Sequence, residues 1–334
     1  MKVRPQGFAV LLVCALLPAC GGDGSAGQGT PDPVPPPSAP ARIPLSATNY
    51  PNAVTLAMAT SGTAFTWVKS AIAIVDRMLD VPVFFPPLLN CPDGGVMSIE
   101  LTDKNADRSL DPGDTIHYRW DGCRAQHSTT TGVLRVELTE ATPTAGGRDY
   151  RLTVTLDDLK LERDDPNQPA IPAVTINFVA QVHYIRDVIT DQISIANAVF
   201  DSGQVAGDTG TSTQAIEYRQ NHATQTYQYS VSGKASSGAL GGEVEFTTPL
   251  AFSGVIGEYP SSGNLSVTGG ANSSARLAEE GAAASDPAAV LLSVDSNGDG
   301  VADDSRPQYG WSSIVPVQLF ADFADSFAIA VPLP

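Results

Sequence analysis

The chain has 334 residues and a formal net charge of −17, because 36 Asp and Glu residues outnumber 19 Lys and Arg residues. Such an acidic surface repels nucleic acids and anionic lipid headgroups and attracts divalent cations. The sequence contains no basic patch with interleaved aromatic residues, so nucleic-acid binding is excluded.

The first twenty residues have the anatomy of an export signal. Lys2 and Arg4 precede the apolar run GFAVLLVCALLP, which at about a dozen residues is too short to cross a membrane as a helix. The tetrapeptide LPAC, which ends at Cys20, resembles a bacterial lipobox, in which the cysteine becomes the lipidated first residue. The pattern predicts a signal peptide over residues 1–19 and a palmitate-type acyl anchor on Cys20. An ordinary signal peptide with a chance cysteine, or a short membrane anchor, are the alternatives.

The residues after Cys20 indicate a location and a tether. Gly21 stands where the inner-membrane retention signal of enteric bacteria has Asp, so we expect the outer membrane, on its periplasmic or its surface face. Residues 20–44 are the lipidated cysteine and a Gly-rich, then Pro-rich, tether. Residues 45–334 contain no convincing linker and predict a single β-rich domain.

Cys91 and Cys123 are the two cysteines that remain after processing. In an exported protein such a pair predicts a disulfide. Two free buried thiols, or half of a metal site, are the alternatives, although no CxxC pair supports zinc.

One segment has helical periodicity. Apolar residues recur every three or four positions near residues 64–79, with Thr63 as a plausible N-cap and Pro82 as a terminator. The stripe consists of Trp67, Ala71, Ile74, Val75 and Met78. It predicts packing against a sheet, with a lid over a groove as the alternative.

From Gly94 onward the period changes to two, as in GVLRVELTE, YRLTVTLDDLKLE and AVTINFVAQVHY. Alternation with one polar face predicts antiparallel strands, about eleven or twelve in number. The predicted fold class is therefore all-β, mainly antiparallel, as a curved sheet or a sandwich, with one N-terminal helix.

The stretch DKNADRSLDPGD over residues 103–114 has the spacing of a calcium-binding loop. It resembles the EF-hand-like loops of dockerins, with Leu110 at the inward apolar place and Arg108 where glycine is usual. Its candidate ligands are Asp103, Asn105, Asp107, Ser109, Asp111 and Asp114.

The stretch DSNGDGVADD over residues 295–304 is similar to a thrombospondin type 3 repeat. Gly300 supplies the turn, whereas Arg306 stands where a closing acid is usual. Its candidate ligands are Asp295, Asn297, Asp299, Asp303 and, as a substitute closing acid, Asp304.

Both loops predict structural calcium, because clustered carboxylates repel one another unless a cation neutralises them. We expect the first loop and the disulfide to brace one end of the sheet together. The alternative is that Asp, Asn and Gly are simply the residues that hairpin turns use.

Motifs spread over most of the mature chain resemble a group of uncharacterised proteobacterial lipoproteins. They are CPDGG at 91–95, DPGD at 111–114, Cys123, SGNLSVTGGANSSARL at 262–277 and DSNGDG at 295–300. The resemblance implies an envelope lipoprotein and carries over no activity.

No catalytic motif with a mechanism occurs, and His117, His127, His183 and His222 lack metal-ligand spacing. The expectation is a membrane-anchored envelope lipoprotein that is not an enzyme and has a structural or binding role, with a lipid, a lipoprotein or another envelope protein as partner. The alternative is a carrier of lipid or lipoprotein in an open β-sheet groove, similar in shape to LolA and LolB. A third hypothesis, an enzyme, requires a buried cluster of acid, base and nucleophile that the sequence does not display.

Overall fold

A computed structural model describes residues 41–80, 88–125, 127–142, 144, 146–163, 171–205, 208–279, 289–315 and 317–320. The expected signal peptide, Cys20, most of the expected tether and Pro82 lie outside the described residues.

The described chain consists of one α-helix, fourteen β-strands and two short 3₁₀ helices. The helix α1 spans Tyr50–Asp80, and the 3₁₀ helices span Trp311–Ser313 and Val317–Phe320. The strands are β1 Leu89–Asn90, β2 Val96–Thr102, β3 Thr115–Ala125, β4 Ser128–Ala141, β5 Arg148–Arg163, β6 Ile171–Arg186, β7 Thr190–Val205, β8 Asp208–Asn221, β9 Thr226–Ser237, β10 Gly242–Val255, β11 Ser262–Thr268, β12 Ser274–Glu279, β13 Ala289–Asp295 and β14 Asp304–Gly310.

All fourteen strands form one sheet in which each strand pairs antiparallel with its neighbours in sequence. The predicted all-β antiparallel class with one helix is confirmed, as a single curved sheet rather than a sandwich. The expected count of eleven or twelve strands is too low. β8 illustrates why, because Ser212, Gln214 and Gln220 occupy inward positions and remove the apolar alternation that identifies a strand.

The inward rows of the sheet follow the predicted alternation. In β5, for example, Leu152, Val154 and Leu156 are all buried. β-Bulges interrupt the pairing of β3, β5 and β7, where Gly122, Asp158 and Asn197 have positive φ. Bulges bend a strand and increase its twist, so these interruptions help the long strands to curve.

α1 begins fourteen residues before the expected start at Ala64. Asn49 stabilises the turn before α1 by reaching back to accept a hydrogen bond from the Ser46 backbone N–H (2.8 Å), and Pro51 occupies the first turn, where proline is tolerated. Within the helix, the hydroxyls of Thr60 and Ser61 donate to carbonyls one turn earlier. Thr63 is an interior residue, so its prediction as N-cap is wrong.

The sheet curls around α1 and buries most of its surface. Phe65 contacts the rings of Tyr218 and Tyr229 on β8 and β9, whereas Trp67 meets Trp120 on β3. Lys69 is 2% exposed, with its ammonium 5.5 Å from the Phe65 ring centroid. No helix within the described ranges is long and apolar enough to cross a membrane.

Because consecutive strands run in opposite directions, the turns fall at two ends of the sheet. The loop 103–114 and the turns at 187–189 and 222–225 lie at one end, which we name the upper end. The lower end contains the turn at 269–273, the loop 296–303 and the start of the described chain, where Arg42 pairs with Glu243.

Candidate metal centre

Asp103 organises the first loop, between β2 and β3. Its Oδ1 accepts hydrogen bonds from the backbone N–H groups of Asn105 (3.1 Å) and Ala106 (2.6 Å), and its Oδ2 accepts one from Arg108 (2.7 Å). The bond from Arg108 is the main reason that the pKa of Asp103 lies below its ordinary value.

The middle of the first loop joins an amide to two carboxylates. The Asn105 Nδ2 donates to Asp107 Oδ2 (3.0 Å) and to Asp111 Oδ2 (3.2 Å). Asp107 Oδ1 accepts a hydrogen bond from the backbone N–H of Ser109 at 2.7 Å. Three of the predicted ligand side chains therefore converge, while the Ser109 backbone turns toward Asp107.

Asp295 plays the corresponding part in the second loop, between β13 and β14. Its Oδ1 and Oδ2 accept the backbone N–H groups of Gly298 and Gly300, each at 2.7 Å. Asn297 Nδ2 donates to Asp299 Oδ2 at 3.1 Å and to Asp303 Oδ1 at 3.5 Å.

Asp303 closes the second loop. Its Oδ2 accepts hydrogen bonds from the Ser296 hydroxyl (2.5 Å) and the Ser296 backbone N–H (2.7 Å), and these bonds lower the pKa of Asp303. Its own backbone N–H donates to Val294, so the carboxylate is fixed to the end of β13.

The two loops share one hydrogen-bond scheme. In each, the first Asp binds backbone N–H groups three and five residues later, and the third residue, Asn, links the fifth-place and ninth-place Asp residues. The loops lie at opposite ends of the sheet and near its opposite edges, since β2–β3 and β13–β14 are the hairpins close to each edge.

The sixth place of each loop has a left-handed backbone, as the turn requires. Gly300 has φ +85°, and Arg108 has φ +69° despite its side chain. The departure of Arg108 from the usual glycine therefore does not prevent the tight turn, although it adds strain of about 1–3 kcal/mol.

The closing positions differ between the loops. Asp114 is 1% exposed and accepts hydrogen bonds from the backbone N–H groups of Lys104 (2.9 Å) and Asp111 (2.8 Å). In the second loop, the Arg306 side chain donates to the Ala47 carbonyl and lies over the Tyr50 ring. Asp304, the predicted substitute, is the first residue of β14.

The donor types of both loops suit calcium, which takes six to eight oxygen ligands. The arrangement shown is nevertheless closed by hydrogen bonds, with an Asn amide nitrogen between the carboxylates. Within the described part of the chain, no three His, Cys, Asp or Glu side chains are grouped closely enough to hold a metal ion. Backbone N–H groups also donate hydrogen bonds to the carboxylates and offset their negative charge. Repulsion between the carboxylates therefore does not by itself require a cation.

Cys91 and Cys123 lie at disulfide-bonding distance, with their Cα atoms 5.4 Å apart. They are at the lower end of the β2–β3 hairpin, beside the Val96–Asp121 pair, whereas the first loop follows Thr102 at the upper end. The expectation that loop and cysteines brace the same end is wrong, because β2 separates them by its full length. They secure opposite ends of one hairpin.

A buried polar network at the upper end was not predicted from the sequence. Asp191 is 0% exposed and accepts hydrogen bonds from Tyr184 (2.8 Å), Arg186 (2.9 Å) and His222 (2.7 Å). Tyr184, Arg186 and Asp191 lie on two consecutive strands and His222 in a later turn, a spacing that matches no known motif.

The network continues into α1. Arg186 also donates to Asp76 (3.2 Å), which accepts a hydrogen bond from Tyr150 (2.9 Å). Burial raises the pKa of Asp76 and, more strongly, that of Tyr150. The network fixes the C-terminal part of α1 to β5, β6 and β7.

The histidines occupy structural positions. His117 and His183 lie on β3 and β6 as expected, and His183 Nε2 is 2.9 Å from Asp149 Oδ1. His127 has positive φ in the turn before β4.

Comparison with known proteins yields no relatives. No protein-family model, no curated protein and no solved structure matches the chain.

Proposed function

We propose that the protein is an envelope lipoprotein, anchored by acyl chains on Cys20 to the outer membrane, with a structural or binding role and no catalysis. Its two Asp loops are proposed to bind calcium, which would stabilise the sheet near both of its edges. The shared hydrogen-bond scheme of the two loops carries the calcium proposal, because separate hairpins have no need of the same nine-residue pattern merely to turn.

The anchor is supported by the lipobox-like LPAC. Residue 41 lies at the lower end, so a tether of about twenty residues, each adding at most ~3.5 Å, would separate Cys20 from the folded body. Mass spectrometry of the mature N-terminus tests the anchor. Acylated Cys20 is expected, and an unmodified N-terminus elsewhere would contradict it.

The calcium proposal is tested by thermal unfolding of the chain from Gly21 to Pro334 with calcium and with EDTA. Calcium that binds only the folded state raises Tm by mass action, by several degrees at saturating concentration. Asp103→Ala and Asp295→Ala are each expected to reduce that rise.

Asp187→Ala is the matched control. Asp187 accepts backbone N–H groups from Ile189 and Thr190, each at 2.7 Å, so it holds a turn as Asp103 does but outside either loop. It should lower Tm in EDTA and leave the calcium-dependent rise intact. Coincident wild-type curves with calcium and EDTA would overturn the calcium proposal and leave both loops as hydrogen-bonded turns.

The second candidate function is a carrier of lipid or lipoprotein. It is favoured by one observation, namely that a single curved antiparallel sheet faces a helix on its concave side. The described concave face is filled by α1, whose Val54, Val68 and Val75 are fully buried. A carrier function would therefore require α1 to move, and native mass spectrometry of the purified chain would detect a bound lipid if it does.

A further inference from the structure

The outer face of the sheet has a depression beside an irregular part of β10. From Tyr229 to Ala235, six steps along β9 correspond to eight steps along β10, from Phe252 back to Val244. The Thr248 hydroxyl replaces part of the lost ladder by accepting from the Val231 N–H (2.9 Å) and donating to the Val231 carbonyl (3.2 Å). Irregularities of this kind are enriched next to functional sites.

The depression, which we name the outer dish, has a volume of about 200 Å³. Its outward-facing lining consists of Gln192, Glu217, Arg219, Gln228, Ser230 and Ala251. These residues come from β7, β8, β9 and β10. The buried Tyr218 and Tyr229 form part of its floor, since their rings turn inward to Phe65.

Most polar groups of the outer dish are available to a ligand. Within the described part of the chain, the side chains of Gln192, Arg219 and Gln228 make no hydrogen bond or ion pair with the protein. Glu217 is held through Oε2 by the Ser194 hydroxyl at 2.6 Å, which leaves its Oε1 uncommitted. Two carboxamides, a guanidinium, a carboxylate and a hydroxyl therefore offer donors and acceptors together.

We propose that the outer dish binds one unit of a neutral polysaccharide. Its mixture of donors and acceptors suits vicinal hydroxyl groups, and Glu217 and Arg219 carry opposite charges. Ala251, the one apolar residue of the outward-facing lining, supplies an apolar surface for the C–H face of a sugar ring. The dish is smaller than the ~300–1,000 Å³ of enclosed small-molecule sites. An open depression of this size suits one unit of a chain that continues across the sheet.

The test is a titration of the chain from Gly21 to Pro334, which contains every described residue, with maltohexaose, cellohexaose and chitohexaose. Amide chemical shifts are followed by NMR. Millimolar or tighter binding of at least one oligosaccharide is expected, with shift changes centred on Gln192, Arg219 and Gln228. The double variant Arg219→Ala/Gln228→Ala should weaken binding about tenfold or more, since hydrogen bonds to charged groups are among the stronger ones.

The matched control is Arg119→Ala/Gln181→Ala, which removes the same two side-chain types from exposed outer-face positions on β3 and β6. It should bind as the wild type does. Absence of shift changes with all three oligosaccharides, or changes centred outside the outer dish, would overturn the proposal. So would a response to free glycine alone, which would identify a site for zwitterions.

Discussion

Folding shifts the pKa values of individual carboxyl groups in this protein in opposite directions. Asp76 is half-buried at the sheet, where desolvation raises its pKa above the ordinary 3.8 despite the lowering effects of Tyr150, Arg186 and Arg148. Asp187 is fully exposed, and the backbone N–H of Ile189, followed by bonds from Thr190, lowers its pKa. The same side chain therefore stabilises the protein in different pH ranges, according to whether burial or hydrogen bonds from the backbone dominate its surroundings.

We predict that Asp76 contributes more to stability as the pH falls through its raised folded pKa toward the ordinary value of 3.8. A carboxyl with a raised folded pKa contributes stability that is present below its unfolded pKa and is lost as the pH rises through its folded pKa. The free energy of unfolding of the wild type minus that of Asp76→Asn should become more positive on acidification, as measured by urea unfolding at several pH values.

Asp187→Asn provides the opposite control. Its lowered folded pKa means that its contribution is present above 3.8 and is lost as the pH falls further. The difference between wild type and Asp187→Asn should therefore shrink below about pH 4. If the Asp76 difference also shrinks on acidification, ion pairing with Arg186 and Arg148 dominates over burial.

At the scale of elements, the central feature is how α1 is held in register with β8. Gln214 is 2% exposed, and its Oε1 shares the single Ser61 hydroxyl proton with the Ala57 carbonyl (2.8 and 2.6 Å), while its Nε2 donates to the Thr60 carbonyl (3.2 Å). These bonds are directional, whereas the surrounding apolar contacts would tolerate small shifts of the helix.

We predict that Ser61→Ala destabilises the fold by about 1–3 kcal/mol, because it leaves a buried Gln214 oxygen without its hydroxyl donor. Gln214→Leu should lower the free energy of unfolding less in the Ser61→Ala background than in the wild type. Urea unfolding of the four proteins should give a coupling energy of about 1 kcal/mol. Thr66→Ala is the control, since that hydroxyl bonds only to Gly62 of its own helix. Strictly additive effects would contradict a register-setting contact.

Disagreement between prediction and structure is also largest at this scale. The run TSGT at residues 60–63 contains weak helix formers, so periodicity placed the helix start after it. In the structure, the Thr60 and Ser61 hydroxyls bond within the helix, and tertiary burial overrides their low propensity. β8 was not predicted for a related reason, since Ser212, Gln214 and Gln220 interrupt its inward apolar row and Gln214 bonds to α1.

At the scale of the whole molecule, every strand pairs with its sequence neighbours, so the sheet has two edges far apart in sequence. The central strands are the longest, with 16 residues in each of β5, β6 and β7, and both lateral edges end in short strands. The disulfide and the two Asp loops all belong to hairpins near these edges. The covalent and turn-based constraints are thus concentrated where the pairing is weakest.

We predict that hydrogen exchange is slowest in β5–β9 and fastest toward β1 and β14.

Cys91→Ser/Cys123→Ser should lower the free energy of unfolding by about 3–4 kcal/mol, as expected for a bridge that closes 32 residues. The double variant should also accelerate amide hydrogen exchange more in β1, β2 and the lower part of β3 than in the other strands. Uniform acceleration over the whole sheet would show that the bridge stabilises only through the unfolded chain.

The sequence by itself determined the antiparallel β class, the presence and C-terminal part of the helix, and the Cys91–Cys123 pair. Period-two alternation reflects burial of one face of a strand, and the number of cysteines can be read directly from the chain. Both can be seen without knowing the fold. Only the tertiary structure decided that all strands form one sheet around α1, that both Asp loops share one hydrogen-bond scheme, and that Asp76 and Asp191 belong to a buried network. These features depend on which distant faces meet, and the composition of a single strand or loop does not encode that choice.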